Sequence, residues 1–242
     1  MKLDVLAFGA HPDDVELSCA GTLASQIDIG LKCGIVDLSR GELGTRGTAE
    51  TRLQEAEAAA KALGVEVREN LGFMDGFFKN DREHQLAVVH VIRKYQPEIV
   101  MANAPSDRHP DHGRAAELVK EAAFLAGLRM ISTEENGQEQ EAYRPQLLLH
   151  YIQFQNLKPN FIVPFNQTAL EKKLAAIRAY RSQFYNPDSK EPETVISSEN
   201  FLDSVEYRAR DMGRLIGRDF GEGFISSADL GVTDLRSLCG VR

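Results

Sequence analysis

Residues 3–14 read LDVLAFGAHPDD, and this stretch decides the fold. Leu3–Gly9 is an apolar run with a β-branched residue, bounded by Ala-His-Pro, which predicts a buried strand. Val15–Ile29 then carries apolar side chains at helical spacing and ends at Gly30, a suitable C-cap. The chain therefore begins with a strand that leads directly into a helix.

The same alternation of strand and helix continues through the first half of the chain. The further predicted strands are Cys33–Leu38, Val65–Leu71 and Glu98–Ala102, and the further predicted helices are Ala49–Leu63, Gln85–Tyr95 and Gly113–Leu125. Short connections between such units favour right-handed crossovers and a mostly parallel sheet. We therefore expect an α/β, Rossmann-like three-layer fold with helices on both faces of the sheet.

The second half of the chain is less regular. The predicted strands there are Gln146–Phe154 and Phe161–Pro164, and the predicted helices are Ala169–Ser182 and Phe201–Gly217. Two polar segments, Ser132–Gln140 and Asn186–Glu193, are expected to be mobile loops. Neither an internal repeat nor a linker divides the sequence, so we expect one domain over residues 1–242.

Composition narrows the class of protein. The hydrophobic content of 43% and charged content of 26% are ordinary for a soluble globular protein. The net charge is −8 and no block of like charge occurs, which argues against nucleic acid as the main partner. No run approaches the roughly 20 apolar residues of a membrane helix, and the N-terminus does not read as a secretory signal. A local basic pocket for an anionic substrate remains compatible with the net charge.

The cysteines indicate a compartment. Cys19, Cys33 and Cys239 are odd in number and widely spaced, without a CxxC pair or a disulfide framework. We expect free or buried thiols in a reducing cytoplasm.

Two short motifs carry the chemistry. Ala10–Asp14 follows the first predicted strand, and His109–His112 comes shortly after the fourth. Ligands bind open α/β sheets at the carboxyl edge, and strands one and four are neighbours in the common doubly wound order. The expected cluster consists of His11, Asp13, Asp14, His109, Asp111 and His112.

Such a cluster suits a catalytic metal. Histidine nitrogen and aspartate oxygen are good ligands for first-row metals, and a catalytic zinc site keeps three protein ligands and one open position. Bound metal lowers the pKa of water to about 7. His11 and Asp14 are three residues apart, so one turn can aim both at one point, while Asp13 points elsewhere and could act as a base. His109 and Asp111 would remain as a supporting pair or as an acid with its orienting partner.

Other interpretations of these residues exist. Asp13 and Asp14 could cap a helix, and His109 or His112 could be a polar loop residue, but two His/Asp-rich loops after two strands are hard to explain by capping. A metal-dependent esterase or phosphoesterase is a rival, although no set of bridging carboxylates suggests a two-metal site. A nucleotide-binding module would need Gly-x-Gly-x-x-Gly, where the chain has Gly9-Ala-His-Pro-Asp-Asp. A non-catalytic metal-binding or assembly protein is a third rival.

At these motifs the chain resembles the PIG-L/LmbE-like family of zinc-dependent N-acetylglucosaminyl deacetylases. The family signature, A-H-P/A-D-D followed much later by H-x-D-H, is matched by Ala10–Asp14 and His109–His112. Ser39–Gly47, Thr51–Glu55 and Gly221–Phe224 also resemble the family. The segment SRGELGTRGT and the length are most similar to the bacillithiol-biosynthesis branch, which deacetylates N-acetylglucosaminyl-malate.

The resemblance implies a role for each residue. His11, Asp14 and His112 would hold one Zn²⁺ per chain, although such a site also accepts Fe²⁺ or another divalent ion. Asp13 would be the general base. His109 would be a general acid or, protonated, an oxyanion stabiliser, with Asp111 orienting it. The resemblance also implies an amino-sugar substrate and a homo-oligomer.

The substrate contacts are expected elsewhere. Arg52 and Asp75 resemble substrate-binding positions, and Arg46 and Arg52 are candidates for the malate carboxylates because guanidinium matches carboxylate. The alternatives are a solvated Arg46 and an Arg52 paired with Glu55 on the helix surface. Asp107 stands where the mycothiol branch has a tyrosine. Tyr185 and Tyr207 are candidate substitutes for that tyrosine.

Overall fold

The computed structural model describes residues 1–238, and Cys239 lies outside them. The strands are β1 Val5–Gly9, β2 Cys33–Ser39, β3 Val67–Phe73, β4 Ile99–Ala102, β5 Glu134–Glu135, β6 Gln138–Glu139, β7 Leu147–Tyr151, β8 Phe161–Phe165 and β9 Phe220–Ser226. The helices are α1 Asp14–Asp28, α2 Ala49–Leu63, α3 Arg82–Tyr95, α4 Pro110–Ala126, α5 Gln167–Ala179 and α6 Phe201–Leu215. Short 3₁₀ helices cover Val195–Ser197 and Leu235–Leu238.

A seven-stranded sheet forms the centre, with strand order β3-β2-β1-β4-β7-β9-β8. The first five strands in this order run parallel, whereas β9 is antiparallel to both β7 and β8. β1 and β4 are direct neighbours, with Val5 opposite Ile99. The predicted α/β three-layer fold and the predicted pairing of strands one and four are confirmed.

Alternate residues of β1 face two separate cores. Val5 and Ala7 pack with side chains of α1, α2 and α5, while Leu6 and Phe8 pack with those of α3 and α4. Helices therefore cover both faces of the sheet, which explains why its central strands read as continuous apolar runs. Among residues 1–238, none of the helices has the length and apolar character needed to span a bilayer.

The first departure from prediction affects the site. α4 begins at Pro110 rather than Gly113, because the His109 side chain caps it by accepting the Asp111 N–H. His112 therefore lies in the first turn of a helix rather than in a loop. α3 similarly begins at Arg82 rather than Gln85.

Two other segments also differ from prediction. The predicted loop at Ser132–Gln140 contains the β5–β6 hairpin, whose turn residues Asn136 and Gly137 have φ of 54° and 78°. Asn-Gly favours such a turn. β9 was not predicted, because Gly221 and Gly223 interrupt its apolar pattern.

Candidate metal centre and catalytic pocket

Four loops meet at the carboxyl edge of the parallel strands. The two motif loops follow the neighbouring strands β1 and β4, and the loops after β2 and β3 close over them. Asp75 links the last two loops, since its carboxylate accepts the Leu43 N–H at 3.0 Å and its N–H donates to Glu42 at 2.9 Å. All six residues of the expected cluster, together with Asp75, lie at this edge.

Asp14 lies between the two predicted histidine ligands. Its Oδ2 is 3.5 Å from His11 Nδ1 and its Oδ1 is 3.1 Å from His112 Nε2. All three side chains are buried. Two donor sets other than the predicted one are closely spaced: the donor atoms of His11, His109 and His112 lie within 4.8 Å of one another, and so do those of His11, Asp75 and Asp111. His11 is common to both sets.

The electrostatics of the cluster fit a cation. Burial lowers the pKa of His11, but hydrogen bonds, first among them that with Asp111, outweigh burial and raise it well above the ordinary value. Burial also opposes protonation of His112, yet the charge of Asp14 and a hydrogen bond to Asp107 raise its pKa to about 9. Despite burial, the His112 charge holds the pKa of Asp14 well below its usual range. A divalent ion would supply the positive charge that the protonated imidazoles carry here.

Three residues that the sequence analysis did not select hold this cluster in place. Asp107 accepts a hydrogen bond from His112 Nδ1 at 2.9 Å, which leaves Nε2 to face Asp14. Asn103 and Gln153 donate to the Asp14 carboxylate at 3.1 and 2.6 Å. Such partners orient metal ligands. Asp107 and Asn103 follow β4 and could have been suspected from that position, whereas Gln153 follows β7 and carried no sequence signal.

Asp13 has an unusual backbone. Its φ is 104° and its ψ is −22°, a region that residues other than glycine rarely occupy. Its carboxylate makes no capping hydrogen bond to α1, so capping does not explain the residue. The carboxylate lies instead 3.0 Å from Arg52 Nη2. Burial raises the pKa of Asp13 to about 7 although the Arg52 charge opposes the rise. A carboxylate with this pKa can accept and release a proton near neutral pH.

His109 and Asp111 are related differently from the prediction. The Asp111 N–H, not its carboxylate, contacts His109, donating to Nδ1 at 3.3 Å. The Asp111 carboxylate contacts His11 Nε2 at 3.3 Å, Gly76 N–H at 2.9 Å and Arg114. Asp111 therefore orients His109 through its backbone N–H and not through its carboxylate, because the start of α4 turns that side chain away. With Nδ1 accepting, the neutral His109 ring carries its proton on Nε2.

The protonation of His109 also departs from expectation. Burial and the nearby charges of His11 and His112 lower its pKa, so the ring is neutral at pH 7. A neutral ring can donate a hydrogen bond through Nε2–H. It suits stabilisation of a developing oxyanion better than donation of a whole proton.

The two predicted substrate arginines already have protein partners. Arg52 is buried and donates to Asp13, Pro12 O and Gly41 O, whereas Glu55 accepts from Ser182 instead. The alternative of an Arg52–Glu55 pair is therefore wrong. Arg46 is also buried rather than solvated.

Arg46 and Asp75 make contacts of different kinds. Arg46 Nε donates to Ser182 O at 2.9 Å, and its Nη1 lies 3.5 Å from Pro192 O. Asp75 Oδ1 is 3.0 Å from His11 Nε2. Burial opposes the effect, but the hydrogen bond with His11 lowers the pKa of Asp75 to about 2. Asp75 is therefore an anionic hydrogen-bond acceptor at the pocket.

These residues line a pocket of about 840 Å³. Two arginines that were not predicted, the exposed Arg108 and the half-buried Arg208, line the part of the pocket that we call its mouth. The Arg108 guanidinium lies 4.8 Å from the centre of the Phe154 ring, and Arg208 Nη2 donates to Phe154 O at 2.6 Å. Arg208 Nη1, like Arg46 Nη2 and Arg52 Nε, has no hydrogen-bond partner among the described residues. Neither Tyr185 nor Tyr207 lines the pocket, so neither replaces the missing tyrosine there.

Comparison with known proteins gives consistent matches. The family model described as GlcNAc-PI de-N-acetylase, PIG-L, matches residues 6–123. The diacetylchitobiose deacetylase of Thermococcus kodakarensis is 31% identical over 230 residues, which cover 90% of this chain and 81% of that protein.

Two solved structures are similar over nearly the whole chain. A conserved protein of Thermus thermophilus has a TM-score of 0.83 and 36% identity, covering 96% of this chain and 98% of that one. The N,N'-diacetylchitobiose deacetylase of Pyrococcus horikoshii, complexed with its inhibitor MPG, has a TM-score of 0.76 and 29% identity, covering 92% and 82%.

Proposed function

The chain belongs to the PIG-L family and is a hydrolase of N-acetyl amides, and from that premise we propose that it deacetylates an N-acetylglucosamine conjugate, with N-acetylglucosaminyl-malate as the substrate. One observation carries the proposal. A buried carboxylate with a pKa of about 7, Asp13, adjoins the cluster of His11, Asp14 and His112. Amide hydrolysis needs this pairing of a proton acceptor with an electrophilic centre.

The proposed metal is one Zn²⁺ held by His11, Asp14 and His112. A divalent ion there would act as a Lewis acid toward the acetyl carbonyl and would lower the pKa of water. The ligand set also suits Fe²⁺ or another first-row ion. His109 lies in a closely spaced donor group with His11 and His112, but we assign it to the substrate because Nδ1 is occupied by the Asp111 N–H.

The residues of the chain would then act as follows. Asp13 accepts a proton from the attacking water, whose oxygen forms the new bond to the acetyl carbon. His109 Nε2–H donates to the carbonyl oxygen as it gains negative charge. Asp13 returns its proton to the nitrogen as the C–N bond breaks. The products are acetate and the protonated amine, so at neutral pH both water protons end on nitrogen.

The size and charge of the pocket support the malate conjugate. A volume of about 840 Å³ lies near the upper end of the roughly 300–1,000 Å³ of ligand pockets. It leaves room for a sugar with a substituent. Arg46 and Arg52 are almost fully buried, whereas Arg108 is exposed and Arg208 is half-buried, so we reassign the carboxylate contacts to Arg108 and Arg208 at the mouth. Burial lowers the pKa of Arg208, and an anionic group would compensate for that burial.

The proposal is tested by acetate release from N-acetylglucosaminyl-malate and from N-acetylglucosamine, side by side, with the Zn²⁺-loaded protein. We expect kcat/KM to be at least about tenfold higher for the malate conjugate, because a charge-assisted hydrogen bond contributes on this scale. Equal kcat/KM values for the two compounds would contradict the malate conjugate as the substrate. Deacetylation of another N-acetylglucosamine derivative would then be the remaining function. Metal binding without acetate from either compound would favour the non-catalytic metal-binding protein.

Further expectations from the sequence belong to the same proposal. They are one domain over residues 1–242, a homo-oligomer and a cytoplasmic location. Cys19 and Cys33 are buried and unpaired, as expected for a reducing compartment.

A further inference from the structure

The motif Gly221–Phe224 has no place in the proposed chemistry, yet its carboxylate lies against α1. Glu222 in β9 is buried and accepts hydrogen bonds from the N–H groups of Gly21 at 3.0 Å and Thr22 at 2.6 Å. In a regular α-helix these N–H groups donate to the carbonyls four residues earlier, at Leu17 and Ser18. The carboxylate therefore lies beside the hydrogen-bond ladder in the middle of α1.

Lys173 completes this arrangement from α5. It is 2% exposed, and its Nζ donates to Glu222 Oε1 at 2.5 Å and to Leu17 O at 3.0 Å. The carbonyl and the N–H that would form one rung of α1, those of Leu17 and Gly21, are thus both contacted by the same buried ion pair.

Glycines allow this close approach. A Cβ on Gly21 would lie 2.7 Å from the ring of Phe165, and a Cβ on Gly221 would lie 2.6 Å from Ile162. Gly21 therefore lets α1 lie close to Phe165 of β8, and Gly221 lets β9 lie close to Ile162 of β8.

Leu17 connects the ion pair to the active site. Its N–H donates to Asp13 O at 2.9 Å, its carbonyl accepts from Lys173, and the residue lines the catalytic pocket. Two hydrogen bonds through one residue therefore separate Lys173 from Asp13. A non-glycine residue with φ of 104° is strained and keeps that conformation only when its surroundings hold it.

We propose that Lys173 and Glu222 are positioning residues that hold the first turn of α1, and through it the carboxylate of Asp13, in the orientation that catalysis needs. The inference rests on the proposed function for the role of Asp13 as the base. The pair touches no substrate atom. If it were only a stabilising ion pair, its loss would lower thermal stability and leave the first turn of α1 unchanged.

The test uses the full-length protein with Lys173→Met and, separately, Glu222→Gln. We expect kcat for acetate release to fall at least about tenfold with KM within about twofold, because small misplacements of a catalytic group cost up to about 10²-fold. We also expect faster amide hydrogen exchange in peptides covering residues 11–20. The exchange measurement does not depend on turnover.

Two control variants separate position from stability. Lys172→Met removes the neighbouring lysine of α5, which pairs with Asp28 at the far end of α1. Arg93→Met removes a buried arginine that donates to Ala126 O and Leu128 O away from the pocket. We expect Arg93→Met to lower thermal stability, and both controls to keep wild-type kcat and wild-type exchange in residues 11–20.

Every outcome decides the inference. Unchanged exchange in residues 11–20, or faster exchange with normal kcat, overturns it. If Lys173→Met does not fold, Glu222→Gln decides alone. If the wild-type protein releases no acetate from any N-acetylglucosamine conjugate, the proposed function fails. Exchange at residues 11–20 then still shows whether the pair holds this turn.

Discussion

The floor and the mouth of the pocket are built differently. On the floor, Asp13 and Asp14 are buried and each is paired, with Arg52 and with His112. At the mouth, Arg108 is exposed with its guanidinium over the Phe154 ring, and Arg208 is half-buried. The floor is held by buried ion pairs, whereas the side chains of the mouth are more exposed and can meet a substrate. Floor variants should therefore affect metal binding and kcat, and mouth variants should affect KM.

The largest effect is expected for His112→Ala on the floor. Removing one of three proposed ligands should abolish stoichiometric metal binding and with it acetate release, because the remaining two ligands hold zinc poorly. Metal content after gel filtration is the measurement, and His90→Ala, a histidine paired with Glu135 away from the pocket, is the control. Full metal occupancy in His112→Ala would exclude this residue as a ligand.

A smaller effect is expected for Asp107→Asn, because Asp107 contacts the proposed ligand His112 and is not itself a proposed ligand. Loss of the carboxylate that orients His112 should weaken metal affinity about 10–100-fold. Competition with a chromogenic chelator measures this, with Ser106→Ala as the neighbouring control. Unchanged metal affinity in Asp107→Asn would show that Asp107 does not contribute to metal binding and that only the direct ligands do.

At the mouth, Arg208→Ala should raise KM for the malate conjugate about tenfold and leave KM for N-acetylglucosamine unchanged. Arg210→Ala is the matched control, because Arg210 is on the same helix and pairs with Glu206. Equal KM changes on both substrates would assign Arg208 to the sugar. A fall in kcat without a change in KM would show that Arg208 acts in the chemical step, as the floor residues do, and would contradict the distinction between floor and mouth.

The smallest effect is a pH dependence of the metal-free protein. His112 has a folded pKa of about 9 against an ordinary 6.5, set by the Asp14 charge and the Asp107 hydrogen bond against the opposing effect of burial. Its stabilising contribution is therefore complete below about pH 6.5 and is lost as pH rises through 9. Thermal unfolding with chelator should show a larger fall from pH 7 to 9 in the wild type than in His112→Asn. Equal falls would contradict this assignment.

The sequence predicted the floor better than the mouth for a physical reason. Ala10–Asp14 and His109–His112 follow neighbouring parallel strands, so local patterns and one topological rule bring them together. Arg208 lies on α6, about a hundred residues after Arg108, and reaches the pocket only through the antiparallel end of the sheet. No local pattern encodes that approach.

Burial accounts for the remaining differences. Arg46 and Arg52 read as surface or substrate-binding residues because sequence does not reveal that their guanidinium groups are buried against carbonyls and Asp13. The opposite pKa shifts of the adjacent Asp13 and Asp14 are also hidden in the sequence, because both carboxylates are buried and the shift depends on the partner of each. The Arg52 charge does not fully offset the effect of burial on the pKa of Asp13. The charge and hydrogen bonds of the histidines beside Asp14, His112 first among them, more than offset it there.

The most direct test of the account is acetate release by wild type and Asp13→Asn, assayed on N-acetylglucosaminyl-malate at equal Zn²⁺ content. Asparagine keeps the size of the side chain and tolerates the positive φ of this position. The account predicts one acetate per free amine from the wild type. It predicts a kcat about 10²–10⁴-fold lower in Asp13→Asn, with metal binding retained. Near-normal kcat in the metal-loaded variant would contradict the central claim that Asp13 is the base.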